Sequence, residues 1–415
     1  MPTLIHIITI IVLTAATVQG CTKTSDTPDP DPDYIRFATV SALQQKLGSL
    51  AAITDSTIRQ QRINTLWDSL KANAEIPFRR NDTVLFLFKS TGINSLQWVG
   101  DFNGWNANSS GWAGERLAGT HIWWLLKTFP PDARLDYKIV ANGNWILDTD
   151  NPYVQYSGFG PNSELRMPQW VFPEETRLQN GTLRGTLSEA KLITSSAQNL
   201  GYQVRYRVYT PHNYANLTKL PVVYVTDGHE YADDRLGAML IVLDNLIHQN
   251  KIRPVMAVFI DPRDPATGNN RRMNEYRANI RFANFVADEL VPAIDQAYKT
   301  DTAANQRAIL GTSLGGWNSA FFGMMRYDRF RLIGIHSPAF DNAIIQQLGN
   351  SPRLPLKIYM STGTIFDTQV QARSMKAVLD EKGYPLRYTE VNQGHSWGNW
   401  RALIDEPLEY FFPAN

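Results

Sequence analysis

The sequence has very little cysteine: Cys21 is the only one among 415 residues. A single cysteine excludes an internal disulfide framework and any metal site built from several cysteines. An excess of one charge sign is also absent, because 40 lysines and arginines face 39 aspartates and glutamates. Basic residues form no evident cluster along the chain. The sequence therefore gives no indication of a nucleic-acid partner.

The N-terminal segment lacks lysine and arginine, although the rest of it has the pattern of an exported protein. Residues 4–13 form an apolar run of the length that a signal peptide needs. The sequence Val-Gln-Gly-Cys that ends at Cys21 resembles the lipobox of bacterial lipoproteins. The resemblance implies cleavage of residues 1–20, lipidation of Cys21 and attachment to the outer membrane or cell surface, with the periplasmic face as the alternative. An uncleaved anchor or a mis-assigned start codon remains the other interpretation.

Composition and periodicity divide the rest of the chain into five parts. Alternating Asp-Pro pairs cannot form a core and predict a flexible tether, whereas apolar residues at helical spacing predict a helical hairpin. Short alternating segments, Asn-Gly and Gly-Asn turns and frequent tryptophan predict an immunoglobulin-like β-sandwich. Alternating strands and helices then predict a mostly parallel sheet covered on both faces. The predicted parts are a tether at 21–34, the hairpin at 35–75, the sandwich at 76–170, a linker at 171–185 and the α/β region at 186–415.

Two long helical patterns are predicted in the α/β region. One covers residues 233–249 and the other residues 276–298. The second has an apolar stripe at helical spacing, which predicts one buried face.

A nucleophile motif lies in the same region. Ser313 is the centre of Gly-Thr-Ser-Leu-Gly at residues 311–315, between an apolar run and a helical pattern. A strand, a sharp turn and a helix in this order hold a serine hydroxyl out at the top of a sheet. The glycines are needed because a side chain at either position would collide with the backbone of the tight turn. The motif therefore predicts Ser313 as the nucleophile of an α/β-hydrolase.

A serine hydroxyl needs a general base, and chain order indicates which histidine supplies it. His395 lies between the last predicted strand and the last predicted helix, where this fold carries its base. The acid is expected after the preceding strand, and Asp367 is the only acid in that loop. Asp367 could also cap the following helix, and Asp341 is the alternative acid. His336 is predicted to be a pocket or packing residue.

Acyl transfer also requires N–H donors where negative charge develops on the substrate oxygen. The first predicted donor is the amide of Leu314, which follows the nucleophile. The second is expected after the third strand, where the His229 amide is favoured over that of Gly228. The missing side chain of Gly228 would let this backbone approach a substrate, and the His229 imidazole would line the entrance.

The α/β region resembles the esterase D family, which includes feruloyl and acetylxylan esterases of carbohydrate esterase family one and siderophore esterases of the enterochelin type. The resemblance is carried by Tyr-Val-Thr-Asp-Gly-His at 224–229, the serine motif at 311–316, Gly-His-Ser-Trp at 394–397 and an Arg/Glu-bearing loop at 271–276. It implies a serine hydrolase of carboxylic esters that requires no metal and no cofactor. Arg271 and Arg272 are candidate contacts for an anionic substrate. Trp317 and Trp397 are candidate walls for an acyl group.

Residues 84–167 are similar to carbohydrate-binding module family 48, the glycogen-binding and isoamylase N-terminal modules. The similarity is carried by Val-Gly-Asp-Phe-Asn-Gly-Trp at 99–105, Asp-Tyr-Lys-Ile at 136–139 and Asn-Gly-Asn-Trp at 142–145. Indole faces stack on sugar rings, while lysine and asparagine bond hydroxyls. The implied sugar contacts are Trp105, Lys138, Trp145 and Asn162. The alternative is a module that only shapes the mouth of the active site, with its tryptophans in the core.

Three functions follow from these patterns. The first is a lipid-anchored esterase that removes feruloyl, acetyl or similar acyl groups from polysaccharides or oligosaccharides. The second has the same chemistry but hydrolyses the trilactone of a catecholate siderophore, for which Arg271 and Arg272 would supply positive charge. The third is a glycan-binding lipoprotein without catalysis. The presence of a candidate serine, histidine and acid argues against this third function.

Overall fold

The computed structural model describes residues 36–414. The predicted signal peptide, the tether and the lipidation residue Cys21 lie outside the described residues. Within this described part of the chain, no helix has both the length and the apolar character needed to cross a membrane.

Two helices open the described chain, α1 (Val40–Ala51) and α2 (Ser56–Ala72). α1 begins after Thr39, whose hydroxyl accepts a hydrogen bond from a first-turn amide, and the Asp55 carboxylate caps α2 in the same way. Their buried apolar residues pack with those of the first two strands of the sandwich. This contact buries one face of each helix against the sandwich.

A β-sandwich follows the two helices. Its strands are β1 (Phe78–Arg80), β2 (Thr83–Lys89), β3 (Leu96–Gly100), β4 (Glu115–Arg116), β5 (Ile122–Thr128), β6 (Arg134–Ala141), β7 (Asn144–Ile146), β8 (Val154–Ser157) and β9 (Gly160–Arg166). One sheet has the order β1-β2-β5-β4, and the other has the order β3-β6-β9-β8 with β7 paired to β6. Aromatic side chains of both sheets, including Phe86, Trp98 and Tyr137, share one buried cluster. The core therefore lies between the two sheets.

A larger sheet is formed by the rest of the chain. Its strands are β10 (Thr186–Leu187), β11 (Lys191–Thr194), β12 (Gln203–Thr210), β13 (Val222–Val225), β14 (Met256–Asp261), β15 (Arg307–Thr312), β16 (Leu332–His336), β17 (Lys357–Gly363) and β18 (Leu386–Val391). The order is β10-β12-β14-β13-β15-β16-β17-β18, and β11 pairs with β12. β12 is antiparallel to its neighbours, and the strands from β14 to β18 are parallel. The predicted mostly parallel sheet is confirmed.

Helices cover both faces of this sheet. They are α3 (Gly228–Tyr231), α4 (Met239–His248), α5 (Arg272–Glu275), α6 (Ile280–Asn284), α7 (Val291–Ala297), α8 (Leu314–Met325), α9 (Asn342–Asn350), α10 (Gln369–Glu381), α11 (Trp397–Arg401) and α12 (Asp405–Phe411). Apolar residues of α6 to α10 pack in one buried cluster, and those of α4 and α12 pack in another. The predicted α/β-hydrolase fold class is therefore confirmed.

The two predicted long helices have different outcomes. The pattern at 276–298 is confirmed from Ile280 onward, because α6 continues through a wider turn at Phe285–Leu290 into α7 and its apolar stripe is buried. Its first residues are instead a turn, in which Ala278 has a φ of 50° and Asn279 caps α6. The pattern at 233–249 overestimates the helix, which begins only at Met239. Ala238 has a φ of 51°, and the Asp233 carboxylate accepts a hydrogen bond from the Arg235 amide. These two features form a turn where the sequence predicted a helix.

Candidate active site

Ser313 lies in the turn between β15 and α8, with φ 57° and ψ −117°. This region of backbone space is rare for residues other than glycine and is typical of a nucleophile elbow. A Cβ atom on Gly311 would collide with the Gly315 backbone and with Thr226, and one on Gly315 would also collide with Thr226. Glycine is thus required at both positions, but the predicted collision with the backbone of the turn holds only for Gly311. At Gly315 the obstacle is the side chain of Thr226, the residue after β13.

Three side chains from distant parts of the chain form one hydrogen-bonded series. Ser313 Oγ lies 2.9 Å from His395 Nε2, and His395 Nδ1 lies 2.6 Å from Asp367 Oδ1. The Asp367 side chain is completely buried, whereas 34% of the His395 side chain is exposed. The three residues follow β15, β17 and β18, so they meet at the carboxyl edge of the sheet. In this arrangement His395 can accept a proton from Ser313 while Asp367 orients the imidazole.

The alternative acid, Asp341, is not part of this series. Its carboxylate accepts a hydrogen bond from the Ile344 amide in α9 and lies 3.3 Å from the Arg277 guanidinium. The predicted capping of α10 by Asp367 is not observed either, because both Asp367 oxygens are engaged by other groups. Chain order and the loop after β17 therefore indicated the residue that contacts His395.

Ser337 and Asn399 hold the Asp367 carboxylate, and the sequence did not reveal either role. Asp367 Oδ2 accepts hydrogen bonds from Ser337 Oγ at 2.6 Å, the Gly363 amide at 2.5 Å and Asn399 Nδ2 at 3.3 Å. Ser337 directly follows β16 and has a φ of 40°. Its position at the carboxyl end of a neighbouring strand is the one signal that could have indicated it.

Replacement of Ser337 by alanine is expected to lower kcat by about 10- to 100-fold with little change in KM. The lost hydrogen bond goes to a charged carboxylate, which is worth about 1.5–3 kcal/mol, and each 1.4 kcal/mol is tenfold in rate. Steady-state kinetics on p-nitrophenyl acetate would measure the change. Ser319→Ala is the matched control, because that hydroxyl bonds only the Gly315 carbonyl inside α8. An unchanged kcat in Ser337→Ala would refute the positioning role.

The predicted oxyanion donors lie at two helix N-termini. The amide of Leu314 begins α8, and those of Gly228 and His229 begin α3. Within residues 36–414 these three amides donate no hydrogen bond to another backbone group. Each therefore keeps the unpaired backbone donor that an oxyanion hole requires.

Two details predicted for the loop at 228–229 are wrong. A Cβ atom on Gly228 would collide with the backbone of Phe259 in β14, so packing against the sheet, not access for a substrate, requires glycine. The His229 imidazole does not line the entrance to Ser313. It lies beside Asp261, with Nδ1 3.5 Å from Oδ1, in a separate cavity, and burial lowers its pKa.

Ser313 and His395 open into a cleft of ≈520 Å³. The α/β region lines one side with Asp227, Glu230, Asn270, Arg272, Thr312, Ser313, His395, Ser396, Trp397 and Trp400. The sandwich lines the other side with Asp101, Trp105, Asp136, Lys138, Trp145, Ser157, Gly158, Phe159 and Asn162. All four residues predicted to contact sugar therefore share a cleft with the reactive serine.

The sandwich residues of the cleft are held in different ways. Trp105 donates from Nε1 to Asp101 at 3.0 Å, and the buried Asn162 amide donates to Asp136 at 3.1 Å. Trp145 is 47% exposed, so its ring is not a core residue. One indole is thus fixed by a hydrogen bond and the other is open to a ligand.

Two residues predicted to bind substrate are not in the cleft. Trp317 is buried in the core of the α/β region, where its ring stacks on Phe321 with centroids 5.6 Å apart. Arg271 forms an ion pair with Asp264 and lies over the Tyr202 ring. Both predictions are wrong, although Asn270 and Arg272, the neighbours of Arg271 in the chain, line the cleft.

Arg272 and Trp397 do line the cleft, but each is bound to a carboxylate. Arg272 Nη2 lies 3.0 Å from Asp227 Oδ2, and Trp397 Nε1 donates to Glu230 Oε2 at 2.8 Å. Burial raises the pKa of the Glu230 carboxyl, and the charge of Asp227 raises it further. The positive charge of Arg272 is therefore largely compensated inside the cleft.

His336 is a packing residue, one of the two roles predicted for it. It is completely buried, its Nδ1 lies 2.8 Å from Ser361 Oγ, and its ring packs edge-on against Tyr359. Burial lowers its pKa to about 3, so the ring stays neutral. Its imidazole forms no hydrogen bond to Ser313, His395 or Asp367, but its backbone carbonyl accepts one from the Ser313 amide at 2.9 Å.

The loop that carries His395 lies directly against the sandwich. The Arg134 amide donates to the Asn392 carbonyl at 3.2 Å. A Cβ atom on Gly394 would collide with Asp101, and one on Gly398 would collide with the Arg134 guanidinium. Glycine is therefore required at both positions because the sandwich approaches the loop so closely.

Arg134 is the centre of this contact. Its guanidinium is completely buried, pairs with Asp136 and Glu164, and donates to Ser396 Oγ at 3.2 Å. Burial opposes its positive charge, but the two carboxylates outweigh this effect and raise the pKa of Arg134. The residue after His395 is thus tied to a buried ion network of the sandwich.

Residues 36–414 contain no group of three or more histidine, cysteine, aspartate or glutamate side chains arranged to hold a metal ion.

Known proteins resemble this chain in sequence. The Esterase family, described as "Putative esterase", matches residues 197–411, slightly more than half of the chain. The Uncharacterized protein YjcH of Bacillus subtilis is 27% identical over 54% of this chain and 97% of its own length. The endo-1,4-beta-xylanase/feruloyl esterase of Xylanibacter ruminicola is 27% identical over 53% of this chain, which spans only 31% of that protein. The iron(III) enterobactin esterase of Escherichia coli O6:H1 is 23% identical over 71% of this chain and 80% of its own length.

Solved structures share the fold. The ferric enterobactin esterase of Salmonella typhimurium has a TM-score of 0.68 at 18% identity, over 79% of this chain and 93% of that one. The enterobactin esterase of Shigella flexneri has a TM-score of 0.65 at 20% identity, over 79% and 92%. The chain belongs to the Esterase family and is a carboxylic ester hydrolase of the α/β-hydrolase fold.

Proposed function

We propose that this protein removes feruloyl, acetyl or similar acyl groups from polysaccharides or oligosaccharides. The observation that carries the proposal is the shared cleft, in which Trp105, Trp145 and Lys138 face the same space as Ser313. Exposed indoles stack on sugar rings, so one wall would hold the carbohydrate while the other cleaves its ester. Attachment to a membrane through lipidated Cys21 is part of the proposal. Membrane fractionation that is unchanged in Cys21→Ser would contradict that part.

The proposed chemistry proceeds through an acyl-enzyme. Ser313 Oγ attacks the ester carbonyl and passes its proton to His395 Nε2, 2.9 Å away, while Asp367 stabilises the imidazolium. The Leu314 amide and one amide of α3 would bind the oxyanion. His395 then gives the proton to the departing sugar oxygen. A water activated by the same imidazole hydrolyses the acyl-enzyme and restores Ser313.

The charges of the cleft support a neutral sugar ester over an iron-bound catecholate, which is anionic. Arg272 is paired with Asp227, and Arg271 is outside the cleft. Burial raises the pKa of Asp101 and raises that of Asp136 to about 7. Both carboxyls are already engaged inside the protein, Asp136 by Arg134 and Asn162 and Asp101 by Trp105 and the Asp136 amide. Neither supplies the positive charge that an anionic catecholate would require.

Hydrolysis of a catecholate trilactone is the second candidate. The alignment with the enterobactin esterase of Escherichia coli O6:H1 covers 71% of this chain, more than the α/β region alone contains. The alignment therefore extends into the part of the chain before residue 186, which includes the sandwich that forms the other wall of the cleft. Lys138 is the cleft cation that would meet an anionic substrate in this case.

A panel of three substrates tests the proposal. We expect turnover of methyl ferulate or acetylated xylan, measured as release of ferulate or acetate, and little turnover of a catecholate trilactone. Turnover of the trilactone alone would refute the proposed substrate and favour the second candidate.

A Trp105→Ala, Trp145→Ala double variant serves as the internal control. We expect its kcat/KM to fall about 10-fold or more on the polysaccharide substrate, since a stacked aromatic ring contributes about 0.5–1.5 kcal/mol beyond its buried area. Hydrolysis of p-nitrophenyl acetate should change little, because that substrate has no sugar. An equal loss on both substrates would mean that the indoles support the structure and do not bind sugar.

A further inference from the structure

A second cavity of ≈270 Å³ lies at the junction of the sandwich and the α/β region. It shares no lining residue with the cleft of Ser313. Three arginines, Arg166, Arg177 and Arg401, line it together with the aromatic rings of Trp170 and Phe172. A cavity with positive charge and aromatic walls suits a ligand that has both a negative charge and a ring.

Arg166 and Arg177 each form an ion pair, with Glu164 and Glu174, so Arg401 is the least compensated of the three arginines that line this cavity. Its guanidinium reaches three neutral oxygens, those of the Gln155 side chain and of the Asp234 and Arg235 carbonyls, each at 3.4 Å. Within residues 36–414 no carboxylate forms an ion pair with it. By contrast, Arg326 makes bonds of 2.6 and 2.7 Å to the Asp288 carboxylate. Contacts of 3.4 Å to neutral oxygens satisfy a guanidinium poorly.

The carboxylate that lines this cavity is already occupied. Glu164 accepts from Arg134 through one oxygen and from Arg166 through the other, at 2.7 Å. Burial lowers the pKa of Arg401. The charge of Glu164 raises this pKa, whereas repulsion by Arg134 and Arg166 lowers it further. Positive charge therefore exceeds negative charge on this side of the cavity.

The other arginines are held in place by aromatic rings. The Arg166 guanidinium lies 4.1 Å from the Tyr153 ring centroid and 5.0 Å from that of Trp170. Arg177 lies 4.4 Å from the Phe172 ring centroid and also pairs with Glu174. Stacking fixes the planes of these guanidinium groups, so less side-chain freedom is lost when an anion binds.

We propose that this cavity binds a carboxylate carried on a six-membered ring, with Arg401 as its main ion-pair partner. Two sources would present this chemistry: a uronic acid, free or as a side group of a polysaccharide, and an aromatic acid such as ferulate. The ≈270 Å³ of the cavity accommodates one ring. Gly398 and Arg401 both belong to α11, which follows His395, so the ligand would contact the helix next to the catalytic loop.

Calorimetric titration of the full chain tests the proposal. The ligands are D-glucuronate, ferulate and, as a neutral control, D-glucose. We expect saturable binding of at least one carboxylate and none of glucose. Replacement of Arg401 by methionine should weaken the binding about 10- to 100-fold, the loss expected for a charge-assisted hydrogen bond. Stronger binding of glucuronate would identify the polysaccharide source, and stronger binding of ferulate would identify the aromatic acid.

Control variants separate this cavity from the active site. Ser313→Ala and the Trp105→Ala, Trp145→Ala double variant should bind the carboxylate as the wild type does, since none of these residues lines this cavity. Arg373→Met removes an arginine of α10 that pairs with Glu390 of β18. This variant should also bind the carboxylate normally. If Arg401→Met does not fold, Trp170→Ala takes its place with the same expected loss. Absence of carboxylate binding, or equal binding by wild type and Arg401→Met, would overturn the proposal without affecting the proposed esterase activity.

Discussion

Replacement of Ser313 by alanine is expected to reduce kcat on p-nitrophenyl acetate by about 10⁴- to 10⁶-fold. Ser313 Oγ lies 2.9 Å from His395 Nε2, and this hydroxyl is the atom that would form the acyl-enzyme. Without it, the remaining rate comes only from oxyanion donors and substrate binding. A stopped assay at high enzyme concentration would measure the residual rate.

Ser319→Ala is the matched control for this loss. Ser319 is buried in α8, the helix that follows Ser313, and its hydroxyl donates only to the Gly315 carbonyl at 3.1 Å. It should retain nearly full activity. If Ser313→Ala kept more than a tenth of the wild-type rate, the ester would be cleaved by another group and the proposed mechanism would be wrong.

Replacement of Arg134 by methionine is expected to lower the free energy of unfolding by about 3–5 kcal/mol. The change leaves the Asp136 carboxylate buried without a guanidinium partner and leaves Glu164 with Arg166 alone. The same variant should lose activity, because Arg134 also holds Ser396 beside the catalytic histidine. Urea unfolding followed by circular dichroism would measure the first effect, and ester hydrolysis the second.

Arg373→Met is the comparison for Arg134→Met. Arg373 also pairs with a carboxylate, that of Glu390, but 57% of its side chain is exposed. Solvent screens such a pair, so the stability should change little. Equal unfolding curves for the two variants would show that the buried network around Arg134 has no special importance.

The nucleophile and the base could be predicted from the sequence because each lies in a short local pattern. The turn around Ser313 needs glycines on both sides, and His395 follows the last strand of a fold whose chain order is fixed. Asp367 required one further step, the assignment of the strand that precedes it. Strand order alone then brought the three residues to the same edge of the sheet.

Residues that act across long sequence distances could not be predicted. Ser337 bonds Asp367 over 30 positions, and Ser396 bonds Arg134 over 262 positions. No local pattern identifies such partners, because each contact depends on how separately formed elements pack. For the same reason, the sequence could give a sandwich at the mouth of the active site only as an alternative, and not as a prediction that its residues share a cleft with Ser313.

The direction of a side chain was the other limit. Trp317 lies four positions after Ser313, yet its side chain packs in the core. The reason is that position 317 falls on the buried face of α8, the helix that follows the nucleophile. Arg271 and Arg272 are adjacent, and only the second lines the cleft. A sequence motif gives the neighbourhood of a residue but not the face on which its side chain lies.

The close approach of the sandwich to Gly394 and Gly398 limits where this protein can be truncated. A fragment that starts after residue 185 would keep every residue of the Ser-His-Asp series, yet it would expose the loop of the general base to water on the side now covered by Asp101 and Arg134. Truncation and domain exchange should therefore treat the two modules as one catalytic unit, and transplanting the esterase portion alone would require a redesigned support for that loop.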